Sequence, residues 1–234
     1  MTDDRAPSIL VFDVNETLLD IDHLEPLFER AFGDAGAMRE WFAQLVLYSE
    51  AIALAGRYAP FGELGAAVLR MHGAVRGVPI DDDHVAELAE RTGSLPAHPD
   101  VRPALERLRD AGFRLVTLTN SAPPESGPDA LERAGIAELL ERRFSVHAAR
   151  RFKPAPEVYR LVADGLDAAL EDTCLVAAHA WDTLGAQALG ARGALVTRPG
   201  NAPLPLGAIA RPDVVGEDLG VVADELVRRW GPDR

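Results

Sequence analysis

Asp13 ends an apolar, β-branched run, Ser8 to Val14 (SILVFDV), where the chain turns abruptly to polar Asn15-Glu16-Thr17. A carboxylate displayed at such a point can attack carbon or phosphorus, although an Asp after a strand also serves as a turn former or cap. Three further constellations bear on that choice. LVTLTNSAP closes a second apolar run with adjacent Thr119 and Asn120, two side-chain donors at a loop suited to an anion, with strand-end capping as the competing role. RRFKPAPEVY carries Lys153 directly before Pro154, hence in non-helical backbone just ahead of a helix, where a lysine is ordinarily solvated. LVAAHAWDTLGA sets His179, Trp181 and Asp182 in quick succession after a third apolar run, more polar chemistry than a structural turn requires.

The elements that must position these residues read as an alternation. Short apolar runs at Ser8 to Val14, Phe113 to Thr119, Phe144 to His147, Thr173 to Ala178 and Ala194 to Thr197 predict strands. Helical patterns lie between them, among them Val101 to Ala111, stopped by Gly112, and Pro156 to Asp164, with proline in its first turn. This order predicts an α/β fold, a Rossmann-like core with a parallel sheet flanked by helices. Such sheets bind ligands beyond the carboxyl ends of their strands, where Asp13, Thr119-Asn120 and His179-Asp182 would converge.

From about Asp20 to Pro96 the pattern changes. Apolar positions recur at helical spacing in LEPLFERAF, REWFAQLVLYSEAIALA and FGELGAAVLRMHGAV, with no convincing strand. The division is therefore a core of residues 1–19 and 97–234 with a helical insertion at 20–96, returning through the proline-containing SLPAHPDV. NAPLPLGAIARP reads as a surface loop.

Bulk composition narrows the partners. With 24 basic against 37 acidic residues the net charge is −13, which disfavours nucleic acid and anionic membranes. The N-terminus carries no leader-like pattern and no apolar stretch reaches spanning length, so a cytoplasmic protein acting on a small molecule is expected. The single cysteine, Cys174, lies in an apolar run and reads as a buried core thiol.

Taken together and in this order, FDVNETLLD, TLTN, KPAPEVY and HAWD resemble the four motifs of the haloacid dehalogenase superfamily, over essentially the whole chain. The finer likeness is to the type II 2-haloacid dehalogenases, and the inserted helices resemble that family's cap. The resemblance implies hydrolytic dehalogenation of a short 2-haloacid of L configuration, without metal or other cofactor. Asp13 would displace halide and form an ester, which water then hydrolyses. Lys153 would keep Asp13 ionised, Asp182 would orient or activate the water, and Thr17 would bond Asp13 or its loop. Thr119 and the amides of Val14 and Asn15 would hold the substrate carboxylate, Asn120 and Trp181 would line the halide pocket, and Tyr159 would support them by a hydrogen bond.

The chain also departs from its resemblance group. Asn15 stands where the superfamily's phosphatases need an acid and where the dehalogenases carry Tyr, and His179 to Gln187 holds one acid, Asp182, too few for the usual Mg²⁺ cluster. Phe42 occupies the position of the cap arginine that collects halide, leaving Arg39 or Arg57 to substitute from a neighbouring turn. His179 replaces an asparagine, and either supplies the missing positive charge or helps Asp182 deprotonate water. The alternatives are a Mg²⁺-dependent phosphatase or phosphotransferase acting on a small metabolite, and a non-catalytic binding protein. The apolar stripes of the insertion would suit a homodimer as well as the inner face of a monomer.

Overall fold

The computed structural model describes residues 6–231. Its centre is a six-stranded, all-parallel sheet in the order β3-β2-β1-β4-β5-β6. The strands are β1 Ile9–Phe12, β2 Arg114–Thr119, β3 Arg142–Ser145, β4 Thr173–Ala177, β5 Arg192–Val196 and β6 Val214–Gly216. β1 and β4 are buried at every position, as expected for strands covered on both faces. β1 pairs with β2 on one side, Val11 opposite Val116, and with β4 on the other, Val11 opposite Leu175. The strand order reverses direction between β1 and β4, so the crevice beyond their carboxyl ends is the topological switch point of the sheet.

Nine α-helices accompany the sheet among the described residues: α1 Glu25–Phe32, α2 Ala37–Leu54, α3 Phe61–Arg76, α4 Asp82–Thr92, α5 Val101–Asp110, α6 Ala130–Arg133, α7 Pro156–Leu166, α8 Ala180–Gln187 and α9 Leu219–Trp230. The layer helices bury one stripe each. In α5 the buried positions are Val101, Ala104, Leu105 and Leu108, and in α9 Leu219, Val222, Ala223 and Leu226, both at the i, i+3, i+4, i+7 spacing of an amphipathic helix. α7 turns Val158, Tyr159, Val162, Ala163 and Leu166 inward, and thereby carries a tyrosine hydroxyl into the core.

Helices α1 to α4 lie between β1 and α5, with no strand among them. The two chain segments that enter and leave this helical stretch are tied together. Leu19 forms an antiparallel bridge with Ala97, and the amides of Asp20 and His98 donate to the carbonyls of Pro96 and Leu18. No helix among the described residues is long and apolar enough to cross a membrane.

The sequence expectations need three adjustments. The third strand begins earlier and ends sooner than Phe144 to His147, because Val146–Ala148 closes into a 3-10 turn in which Ser145 Oγ accepts from the His147 amide. β6 escaped notice because it is three residues long and its middle residue, Val215, is exposed. α4 buries only Leu88 and so carries a weak apolar signal. The segment 201–212 contains no helix or strand and is mostly exposed, as a surface loop should be.

One close approach couples the fold to the site. A Cβ built on Gly185 of α8 would fall 2.5 Å from Pro154 Cβ and 2.6 Å from the Tyr159 hydroxyl, whereas one on Gly62 of α3 meets nothing within 4 Å. Gly185→Ala should therefore lower unfolding free energy by about 1–3 kcal/mol in urea denaturation. Gly62→Ala, in the first turn of α3, should leave it unchanged or raise it by up to about 0.5 kcal/mol through helix propensity alone. Equal effects at the two positions would contradict the packing assigned to α8.

Candidate active site

Asp13 follows β1 directly and is 5% exposed, so its carboxylate is almost fully removed from water. Each oxygen is engaged. Oδ1 accepts from Lys153 Nζ at 2.6 Å, and Oδ2 accepts from Thr17 Oγ1 at 2.7 Å. Thr17 Oγ1 in turn accepts from the Ala178 amide at 2.9 Å, which links the loop after β1 to the loop after β4. The spacing of four residues between Asp13 and Thr17 is what lets the loop fold back on itself. Leu18 and Leu19 both donate to the Val14 carbonyl, and Glu16 takes the left-handed conformation, φ 67°, needed at the turn.

Lys153 is 1% exposed, and its ammonium has three acceptors. Besides Asp13 these are Asp182 Oδ2 at 2.6 Å and the Leu118 carbonyl at 3.1 Å. Its own amide donates to Asn120 Oδ1 at 3.2 Å. The loop after β1, the end of β2 and the first turn of α8 thus meet on one cation. An ammonium has three protons to give and here places all three, which is the condition under which burying a charge is tolerable. Asp182, wholly buried at the start of α8, accepts from Tyr159 through its other oxygen at 2.7 Å.

Burial pulls on every one of these groups, and their neighbours decide the outcome. For Asp13, burial would raise the pKa, but Lys153 and His179 overcome it and hold the carboxyl well below its usual range. Asp182 goes the other way: burial and the nearby Asp13 charge raise it, against the lowering effect of Lys153. Lys153 is raised, because the two carboxylates outweigh its burial. Two carboxylates on one ammonium are thus driven apart in proton affinity, the firmly ionised one beside Thr17 and the more basic one beside Tyr159.

His179 borders the same carboxylate. It is 6% exposed, its Nε2 lies 2.7 Å from Glu16 Oε2, and its Nδ1 lies 3.4 Å from Asp13 Oδ2. Burial lowers its pKa, yet Asp13 and Glu16 together push it up to about 9, so the ring is an imidazolium at neutral pH. It stacks on Trp181 at 5.1 Å and tilts against Phe42 at 5.8 Å. Phe42 is therefore at the site, filling space beside a cation.

Of the two arginines considered as replacements, Arg57 is exposed, while Arg39 reaches the loop after β1 and pairs with Glu16 and Asp22. Arg39, Phe42, Val46, His179, Trp181 and Asn201 line a cleft of about 590 Å³. Asn15 turns its amide to Ser121 Oγ at 3.3 Å, and Thr119 Oγ1 accepts from the Ser121 amide at 3.1 Å.

The residue that sequence reasoning passed over is Glu16. It was visible as a charged side chain inside the loop, but only the left-handed backbone turns it inward, where it is 3% exposed and bonded to His179, Arg39 and Asn201. Asn201 was equally hidden, in a loop whose composition suggests only surface. Arg198 was also missed. Its guanidinium donates to the Thr17 carbonyl at 3.0 Å and pairs with Asp100, fixing the outer side of the loop. Among the described residues, no three His, Cys, Asp or Glu side chains are grouped to hold a metal ion.

Comparison with known proteins follows the same line. A model of the haloacid dehalogenase-like hydrolases matches residues 7–190. The chain belongs to that family. It is 32% identical to (S)-2-haloacid dehalogenase 1 of Pseudomonas sp. (strain CBS-3), over 77% of this chain and 80% of that protein. Against haloacetate dehalogenase H-2 of Moraxella sp. (strain B) it is 29% identical, over 82% and 86% of the two chains. Its fold superposes on L-2-haloacid dehalogenase from Xanthobacter autotrophicus, solved with chloropropionic acid covalently bound. That match has a TM-score of 0.83 at 27% identity and covers 95% of this chain and 98% of that one. These matches identify the chain as a hydrolase of the haloacid dehalogenase type and its α/β core as the fold of that family.

The raised His179 pKa fixes the sign of a stability effect. A group whose pKa rises on folding stabilises fully below its unfolded value, here 6.5, and loses that contribution as the pH rises through its folded value of about 9. Melting temperature measured across this window should fall more steeply for the native protein than for His179→Asn. Parallel curves would remove the Glu16–His179–Asp13 ionic arrangement.

Proposed function

We propose that this hydrolase cleaves the carbon–halogen bond of short 2-haloalkanoic acids, of the S configuration where C2 is chiral, through an ester on Asp13. The observation that carries this reading is the buried ammonium of Lys153 placed between Asp13 and Asp182. A carboxylate held ionised and stripped of water, with no proton of its own to give, is set up as a nucleophile rather than as an acid. The Asp13 oxygen forms a bond to C2 as the carbon–halogen bond breaks, and the bonding pair departs with the halide. Water then attacks Cγ of the ester, with the more basic Asp182 receiving its proton. Tyr159 holds Asp182 in place for this step.

The remaining residues divide between the two ends of the substrate. Thr119 and the amides of Val14 and Asn15 would receive the carboxylate. Asn120, Trp181 and Phe42 would surround the halogen. Arg39, one turn before Phe42 on α2, is the cap cation in reach of the cleft, and its pairing with Glu16 keeps it pointed there. We take residues 20–96 as the cap that closes over the crevice and 1–19 with 97–234 as the catalytic core. A homodimer would draw on apolar side chains that α2 leaves exposed, such as Leu47 and Leu54, seven residues apart on that helix. A cytoplasmic setting suits the single, fully buried thiol of Cys174.

The reading needs no metal, since Lys153 supplies the positive charge that a cation would bring. A phosphatase would need an acid at the position of Asn15, which cannot protonate a departing alcohol, and would call for Mg²⁺. Halide release from chloroacetate and 2-chloropropionate, with and without EDTA, separates the two. The expected result is release unaffected by EDTA and reduced by about 10³-fold or more in Asp13→Asn. Absence of halide release, together with Mg²⁺-dependent hydrolysis of a phosphate ester, would overturn the proposal.

A further inference from the structure

His179 carries a donor that, in the resting site, forms an ion pair with Asp13 but no hydrogen bond. Its Nε2 is committed to Glu16, but Nδ1 is buried with no hydrogen-bond partner, 3.4 Å from Asp13 Oδ2 and out of line with it. Buried donors are almost always satisfied, so an orphan beside a reacting atom calls for a partner that arrives during the reaction. The ring is held against turning by Trp181 on one face, Phe42 beside it and Glu16 at its far nitrogen. Glu16 is itself held by Arg39 and Asn201.

We propose that His179 is the general acid of the second half-reaction, delivering its Nδ1 proton to the oxygen of Asp13 that carries the substrate, with Glu16 as its positioning residue. The proposal rests on Asp13 being the nucleophile and places the new bond on Oδ2, the oxygen that His179 faces. In the ester, Oδ2 joins Cγ to C2 of the substrate. Water bonds to Cγ, Asp182 takes one of its protons, and the carbonyl pair moves onto Oδ1, 2.6 Å from the Lys153 ammonium in the resting site. When that pair returns, the Cγ–Oδ2 bond breaks and its electrons take the proton from Nδ1, releasing a 2-hydroxy acid. Asp13 is left as a carboxylic acid built from Oδ1 and the water oxygen. Its proton passes back to the neutral Nδ1, and the proton on Asp182 leaves to solvent, which accounts for the one proton released per turnover.

The electrostatics favour this timing. The charged groups around the ring are Asp13 and Glu16 in contact, Lys153 and Arg39 behind them, and Asp182 on the same helix. Alkylation erases the charge of Asp13, one of the two that hold the imidazolium, so His179 becomes a stronger acid only once the ester exists. Glu16 retains the ring's orientation throughout. An alkoxide is a poor leaving group and gains most from a positioned proton.

The test follows both half-reactions in His179→Asn and Glu16→Gln with chloroacetate, using rapid-quench halide measurement and intact-protein mass, with Asp182→Asn as control. Loss of the acid should leave a burst of one halide per site, followed by turnover slowed about 10²-fold or more, with the substrate adduct accumulating on Asp13. Ester hydrolysis in the native protein should slow as the pH rises through the titration of His179. A burst slowed as much as turnover, with no adduct, would move His179 to the halide step and overturn the proposal. Unchanged turnover, or ester hydrolysis that accelerates on the alkaline side, would overturn it too. Should His179→Asn fail to fold, Glu16→Gln carries the same readouts. If Asp182→Asn also shows no adduct, the failure belongs to the nucleophile assignment rather than to His179.

Discussion

The ammonium of Lys153 is the contact on which the rest of the site depends. It is nearly inaccessible to water, and bonds at 2.6 Å to carboxylates from the loop after β1 and the first turn of α8 and at 3.1 Å to a carbonyl of β2. Taking such a charge out of water costs several kcal/mol, and only complete satisfaction by opposite charge and acceptors makes the arrangement tenable. Because its acceptors lie on β2 and on the chain that follows β1 and β4, the site can form only when those strands are in register and the switch point is closed. Stability and chemistry therefore share one interaction.

From that centre the charges alternate outward. Asp182, Lys153, Asp13, His179, Glu16, Arg39 and Asp22 follow one another, each paired with the next. Such alternation keeps every buried charge beside an opposite one, and it splits the two carboxylates at the centre into a firmly ionised Asp13 and a more basic Asp182. The phenol of Tyr159 closes the inner end of the series, and solvent meets the outer end at Asp22. Loss of any one link changes the protonation of its neighbours, so substitutions here act on function and stability together.

Much of this was legible in the sequence because a parallel α/β sheet obliges its strand ends to meet. Asp13, Thr119 and Asp182 could be named from their places at the ends of apolar runs and Lys153 from the proline that follows it, whereas Tyr159 came only through the family resemblance. The links that escaped depend on backbone geometry rather than residue pattern. Glu16 reads as a solvated loop residue until its left-handed φ turns it inward, and Asn201 lies in a stretch whose prolines and glycine signal only a loop. Phe42 stands where the resemblance group carries a cap arginine, and only three-dimensional packing separates the two candidates to replace it: Arg39, a turn earlier, pairs with Glu16 and lines the cleft, while Arg57 is exposed. β6 and α4 stayed hidden because they bury too little to leave a periodic signature.

Asp13 either attacks carbon itself, as proposed, or activates water to do so. A single turnover of chloroacetate in ¹⁸O-labelled water, with enzyme in excess, separates the two directly. If Asp13 is the nucleophile, the first product carries an unlabelled hydroxyl oxygen drawn from Asp13, while the label appears in the Asp13 carboxylate. Label entering the product on that first turnover, with Asp13 left unlabelled, would contradict it.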